Sequence, residues 1–264
     1  MRKMRLLLVI LLVAMFLSLP FPGWAEDGKV YIGLNVEISH PTSTSDDAIK
    51  QGLLVAIDEI HRAGGVLGGR KLELVEKDNR SVPARAVQNN RELAAMPNLV
   101  AVFAGKFSSA IIESLPVIHE LKLPMMAPWS ANDKVIDNGY NPNYVFRLSI
   151  SDTWGITSMM NHALKKGYTK VGVMVPVNSW GRSNDEAIQK FAAANPKISV
   201  TSVQWYNYGE NTLADKYDAI LKSGAKAVIM IAIETEGALL VRETAQMPAN
   251  QRLPIIGHAS FTGG

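Results

Sequence analysis

The chain has 264 residues, of which 47% are hydrophobic and 19% charged, a composition typical of a globular protein with one large or two ordinary domains. Lys and Arg number 27 against 24 for Asp and Glu, but the first 25 residues hold three basic residues and no acidic one, so the remainder carries 24 of each sign. The charge therefore gives no reason to expect a nucleic-acid partner. The absence of cysteine excludes a disulfide framework and a lipid-carrying cysteine.

The N-terminal segment has the pattern of a cleavable signal peptide. Basic residues at the start precede an apolar run over residues 6–17, and small residues near Ala25 offer a cleavage site. A membrane-anchoring helix is the alternative, but a span needs about 20 apolar residues, and Pro20 and Pro22 interrupt the run. We therefore expect residues 1–25 to be removed and the mature protein to be periplasmic and not lipidated.

The first half of the mature chain alternates predicted strands and helices. In chain order these are a strand over 30–36, a helix over 46–63, a strand over 72–78, a helix from a Ser81 cap to about 96, a strand over 99–104, a helix over 108–121 and a short strand over 124–127. Strands that are apolar throughout and alternate with helices indicate a parallel sheet covered on both faces. The first half is predicted to be an α/β lobe.

The alternation restarts after a stretch rich in Asn, Pro and Gly over 137–143. Its predicted elements are an extended segment over 144–148, a helix capped by Asp152 and reaching 166, and then strands over 170–175, 198–206, 227–233 and 253–257 separated by helices over 183–194, 212–223 and 236–247. We predict two Rossmann-like α/β lobes with parallel sheets, residues 26–148 and 149–264. The second lobe is predicted to be incomplete, because the sequence stops directly after a strand.

Six stretches carry a resemblance to a known family. They are AIDEIHRAGGVLGGRKLELVEKD (56–78), VAVFAGKFSSA (100–110), LPMMAPWSAN (123–132), VFRLSISDTWG (145–155), KVGVMVPVNSWGRS (170–183) and AKAVIMIAI (225–233). The chain resembles the type I periplasmic binding proteins of the branched-chain amino-acid kind, which deliver ligands to membrane ABC transporters. The resemblance implies two lobes that close on a small ligand, a membrane permease as partner and no cofactor. Members of that family are usually longer, so we expect a chain truncated at its C-terminus.

Candidate binding residues follow the predicted strands, because ligands of open α/β sheets bind beyond the carboxyl ends of the strands. In the first lobe these residues are Ser39, then Phe107, Ser108 and Ser109, then Trp129, Ser130 and Ala131. A serine that opens a helix offers a hydroxyl beside backbone N–H groups without helical partners, which favours an anion such as a carboxylate. A plain helix cap without a ligand is the alternative.

The resemblance implies a role for several of these residues. The family holds its ligand carboxylate with the serine at this place and with the loop that here contains Trp129, Ser130 and Ala131. Where many relatives have a hydroxyl residue this chain has Ala131, and Ser130 is the substitute that it offers. Trp180 lies where relatives often place an aromatic residue over the ligand, and a packing tryptophan is the alternative. With Phe107 and Trp129 it would form an aromatic-rich cleft.

The expected contact for a ligand ammonium is missing. Amino-acid-binding relatives have an acidic residue after the strand that here ends at Gly257, where this chain continues with His258. Glu234 is the nearest carboxylate in a cleft position. A small carboxylate or amide therefore competes with an α-amino acid as the ligand.

Catalytic and metal-binding motifs are absent from the sequence. No two of the five histidines have the spacing of metal ligands, no G-x-S-x-G elbow occurs, and the glycines over 64–69 lie between a helix and a strand, the reverse of a phosphate loop. We predict a binding protein and not an enzyme. A ligand-sensing domain of a signalling system, and a hydrolase or transferase on the same scaffold, are the alternatives.

Overall fold

The computed structural model of the protein describes residues 28–39 and 44–262, so the expected signal peptide lies outside the described residues. The first lobe is built on a five-stranded sheet of order β2-β1-β3-β4-β5 in which every pair is parallel. Its elements are β1 (Lys29–Val36), α1 (Thr44–Arg62), β2 (Lys71–Asp78), α2 (Pro83–Ala94), β3 (Leu99–Ala104), α3 (Ser108–Glu120), β4 (Met125–Ala127) and β5 (Val145–Arg147).

The second lobe is built on a four-stranded parallel sheet of order β7-β6-β8-β9. Its elements are α4 (Asp152–Lys165), β6 (Lys170–Pro176), α5 (Ser179–Ala194), β7 (Ser199–Tyr206), α6 (Ala214–Lys222), β8 (Ala227–Met230), α7 (Glu234–Ala245) and β9 (Ile255–Gly257). Two lobes with parallel sheets confirm the predicted fold class.

Each lobe has its own core. In the second, Ile156 and Met160 of α4 pack with Val171 and Val173 of β6 in one cluster of buried residues. All four residues of β8 are buried, which explains why this strand is apolar throughout. Because α4 packs on the second sheet, the chain passes from one lobe to the other between β5 and α4. Among the described residues, no helix combines the length and apolar character of a membrane span.

Two predicted helix caps are wrong. The cap of α2 is Val82 and not Ser81, because the Ser81 hydroxyl donates a hydrogen bond to Glu37. The cap of α4 is Ser151, whose hydroxyl accepts from the backbone N–H of Trp154 at 3.2 Å, and Asp152 is the first helical residue.

Two helices of the second lobe begin earlier than predicted. Asn178 caps α5 by accepting from the backbone N–H of Gly181 at 2.8 Å, so this helix begins at Ser179 and carries Trp180 in its first turn. Strand β8 ends at Met230, and α7 begins at Glu234. Both differences occur at carboxyl ends of strands, where the residues belong to a cleft and hydrophobic periodicity gives no boundary.

Candidate functional site

A cavity of about 250 Å³ lies between the two lobes, and we call it the interlobe cavity. The predicted residues that line it are Phe107, Ser108, Ser109, Trp129 and Ala131 from the first lobe and Trp180 from the second. The volume suits a small ligand, since pockets for drug-sized molecules begin at about 300 Å³. Six of the nine predicted residues therefore face one space between the lobes.

The N-terminus of α3 forms one wall of the cavity. Phe107 occupies the cap position with extended backbone and makes no side-chain cap hydrogen bond. The Ser108 and Ser130 hydroxyl oxygens are 2.6 Å apart and both residues are buried, so Ser130 supports Ser108 from behind the cavity wall. Ser109 is half-buried and lines the cavity. The first N–H groups of the helix and the positive end of its dipole together favour an anionic ligand group.

Three hydrogen bonds hold the loop that contains Trp129 and Ala131. The Arg147 guanidinium donates to the Ala131 carbonyl at 3.2 Å, and the backbone N–H of Asp152 donates to the same oxygen at 2.8 Å. The Ser149 hydroxyl donates to the Ser130 carbonyl at 2.7 Å. The segment that connects the lobes therefore positions a wall of the cavity.

Trp180 both lines the cavity and packs on the second-lobe core. Its indole N–H donates to Oδ1 of Asp152 at 3.0 Å. The His258 ring lies edge-on to the indole, with centroids 5.4 Å apart and planes at 80°. The two readings of Trp180, ligand cover and packing residue, are thus compatible.

Asp152 and His258 are a buried ionisable pair beside the indole. Burial raises the pKa of Asp152 to about 6, against hydrogen bonds from Ser183, Asn184 and Trp180 that lower it. Burial lowers the pKa of His258 to about 4. The His258 Nε2 atom is 3.8 Å from Oδ1 of Asp152. At neutral pH the imidazole is therefore neutral and the carboxylate charged.

Ser39 and Glu234 do not line the interlobe cavity. Ser39 is exposed beyond β1, and its hydroxyl hydrogen-bonds to Asp78. Ile233 lines the cavity, whereas Glu234 begins α7 and its Oε1 atom accepts from the Thr44 hydroxyl at 2.9 Å. At the two positions considered for an ammonium partner, after Gly257 and at Glu234, the described residues therefore place no carboxylate on the lining of the interlobe cavity.

Four residues that were not predicted from the sequence also line the cavity: Lys106, Asn178, Tyr208 and His258. All four follow carboxyl ends of strands, so the rule that located Phe107 could have found them. Within residues 28–39 and 44–262, no group of three or more His, Cys, Asp or Glu side chains is arranged to hold a metal ion.

Comparisons with known proteins agree with this geometry. A model of the periplasmic binding protein family matches residues 29–262. An amino acid binding protein of Pseudomonas aeruginosa is 26% identical over 207 residues, covering 76% of this chain and 53% of the relative.

Two solved structures share the fold. The substrate-binding protein of a branched-chain amino acid transporter from Streptococcus pneumoniae, in complex with isoleucine, has a TM-score of 0.76 at 21% identity and covers 88% of this chain and 65% of its own. A solute-binding protein of an ABC transporter from Rhodopseudomonas palustris, in complex with benzoate, has a TM-score of 0.78 at 19% identity. The match covers 89% of this chain and 64% of that protein. The chain thus spans between about half and two thirds of the length of these relatives.

Proposed function

Because the chain belongs to the periplasmic binding protein family, we propose that it is an extracytoplasmic solute-binding protein that delivers a small ligand to the permease of an ABC transporter. The resemblance to type I members of this family is confirmed. The observation that carries the proposal is one cavity lined by both lobes, with the N-terminus of α3 on one side and Trp180 on the other. Binding without turnover follows from the same proposal.

The ligand carries a carboxylate on an apolar or aromatic body. The carboxylate lies at the N-terminus of α3 and accepts hydrogen bonds from its first N–H groups and from Ser109. Phe107, Trp129 and Trp180 surround the body. No acidic side chain in the described part of the chain lines the interlobe cavity. An α-ammonium is therefore not required there, and isoleucine and benzoate, the ligands of the two solved relatives, share a carboxylate and an apolar body.

The lobes act by hinge closure. Two contacts between the lobes support this mechanism: the Asn132 side chain donates to the Ser179 carbonyl at 2.8 Å, and the rings of Phe107 and Tyr208 have centroids 6.1 Å apart. A ligand that touches both lobes only when they are together shifts the equilibrium towards closure. The permease then recognises the closed form.

A thermal-shift screen of the complete protein tests the proposal. Benzoates, branched-chain and aromatic amino acids, aliphatic carboxylates and amides are compared at equal concentration. A ligand that binds only the folded state raises the free energy of unfolding through mass action, by about 3 kcal/mol when its concentration is one hundred times its dissociation constant. The melting temperature rises as a result. We expect carboxylates to stabilise and to be recovered unchanged. Absence of any stabilising solute, or conversion of a solute to product, would contradict the proposal.

A further inference from the structure

A second space of about 460 Å³ adjoins the interlobe cavity, and we call it the acidic compartment. Phe107, Ser109, Asn178 and Tyr208 line both spaces, so the two are neighbours along the cleft. The acidic compartment is in addition lined by Glu37, Arg80 and Ser81 from the first lobe and by Thr235 and Glu236 from the second. A ligand long enough to pass the Phe107 and Tyr208 rings would extend from the N-terminus of α3 into this compartment.

Two buried carboxylates, one from each lobe, distinguish the compartment. Glu37 follows β1 and is 5% exposed, and Glu236 lies in the first turn of α7 and is 2% exposed. The Oε1 atom of Glu37 accepts from the Ser81 hydroxyl at 2.5 Å, and the Oε1 atom of Glu236 accepts from the backbone N–H of Gly209 at 3.1 Å. The Oε2 atom of each receives no hydrogen bond from the residues that the structure describes.

The charges around the compartment leave a negative excess. The Lys106 ammonium is 3.7 Å from Oε2 of Glu37 and gives one positive charge against the two carboxylates. Arg80 also lines the compartment, but its Nε atom lies 3.6 Å from the Asp78 carboxylate. Glu234 adds a further negative charge near Glu236. A buried carboxylate without a full set of partners is costly, so a positive group with N–H donors would stabilise this arrangement.

We propose that the acidic compartment receives an ammonium or guanidinium group at the far end of the ligand whose carboxylate lies at the N-terminus of α3. The proposal rests on the proposed function and narrows its ligand class to small molecules with a carboxylate at one end and a cation at the other. Since Glu37 and Glu236 belong to different lobes, the cation contacts both only in the closed form. Its charge thus offsets the cost of burying the two carboxylates as the lobes close. Burial also raises the pKa of Glu236, against backbone hydrogen bonds and the positive charge of Lys106, which lower it.

Two pairs of compounds that differ only in the end group test this proposal. They are 4-(aminomethyl)benzoate with 4-ethylbenzoate, and 6-aminohexanoate with heptanoate, in which a methyl group replaces the ammonium. Each compound is titrated calorimetrically into the complete protein, into Glu236→Gln and into Glu186→Gln, which alters an exposed carboxylate of the same lobe. We expect at least one ammonium compound to bind about tenfold more tightly than its methyl partner, in line with one charge-assisted hydrogen bond. Glu236→Gln should abolish this preference, and Glu186→Gln should keep it.

The outcomes separate this proposal from the proposed function. Equal or tighter binding of the methyl compounds, or a preference for the ammonium compounds that survives in Glu236→Gln, would overturn the proposal that the acidic compartment receives a cation. The proposed carboxylate-binding function would still stand. If none of the four compounds binds, the acidic compartment is also overturned, whereas the proposed function fails only when the wider thermal-shift screen finds no solute. The melting temperature of Glu236→Gln without ligand excludes misfolding as the cause of a lost preference. We expect it to fall by no more than about 3 °C, since the glutamine oxygen can still accept from Gly209.

Discussion

Two contacts hold the Trp180 indole, which also lines the interlobe cavity: its N–H donates to Asp152, and the His258 ring lies nearly perpendicular to it. A ring held in this way needs little further ordering when a ligand arrives, which favours a role in covering the ligand. The same contacts explain why the sequence left two readings open. The sequence pattern around a tryptophan that follows a strand is the same whether the ring packs on a core, covers a ligand or does both.

Replacing Trp180 with Ala should weaken binding of the ligand found in the screen by roughly 1 to 3 kcal/mol, in line with buried interface aromatics. The physical reason is the loss of apolar area that the ring shares with the ligand. Isothermal titration calorimetry measures the change. Trp154→Ala is the matched control, because that ring is 75% exposed and does not line the cavity. Equal effects of the two substitutions would remove Trp180 from the site.

Asp152 should make stability depend on pH. The unfolded carboxyl ionises near 3.8 and the folded one near 6, so between these values the folded protein keeps a proton that the unfolded chain has lost. The free energy of unfolding of the natural protein should therefore fall, relative to Asp152→Asn, as the pH rises from 3.8 to about 6, and stay constant above. A pKa rise of this size lowers the free energy of unfolding by about 3 kcal/mol once the carboxyl group is ionised. Urea unfolding of both proteins at pH 3.5, 5 and 7 measures it, and a constant difference would contradict the buried, ionised carboxylate.

Ser39 and Glu234 show what the position of a residue after a strand leaves undetermined. Both follow strands, as the rule for α/β sheets requires, but the Ser39 hydroxyl meets Asp78 and the Glu234 carboxylate meets Thr44. The direction of a side chain depends on partners from other segments. For Glu234 that partner lies 190 residues away along the chain, and no local pattern contains this information.

At the scale of elements, strands and long helices followed directly from the sequence. The predicted strand over 99–104 is β3, and the predicted helix over 108–121 is α3 within one residue. Apolar residues run along the whole of this strand, a pattern typical of parallel sheets, although Val100 within it is 45% exposed. The glycines over 64–69 lie between α1 and β2, as the sequence indicates, and Gly65 there has a φ of 83°, which glycine adopts without strain.

The start of α5 could not be predicted in the same way. Its first turn approaches β6 so closely that a Cβ atom on Gly181 would lie 1.9 Å from the Pro176 carbonyl oxygen. Only Val177 and the capping residue Asn178 separate β6 from the helix. A polar first turn of this kind resembles a loop in sequence. Here it carries Trp180 to the cavity.

At the scale of the molecule, the proposed function depends on two separate cores joined by a short connection. Between β5 and α4 only a few residues link the lobes, and Arg147 and Ser149 at this link also hold the cavity wall at Ala131 and Ser130. The two-lobe architecture was predictable because strand and helix alternate twice. The relative placement of the lobes was not, since it rests on contacts such as Asn132 with Ser179 that join distant segments.

Spin-label distances between the lobes test directly whether the two lobes close around one ligand. The chain contains no cysteine, so labels attach only where cysteine is introduced, and Arg85→Cys on α2 with Lys190→Cys on α5 places one exposed label on each lobe. We expect a saturating carboxylate from the screen to narrow the distribution of label distances and to shift it to a single closed population. Trp180→Ala should need a higher ligand concentration for the same shift. Saturation confirmed by calorimetry with an unchanged distribution would contradict closure of two lobes around one ligand.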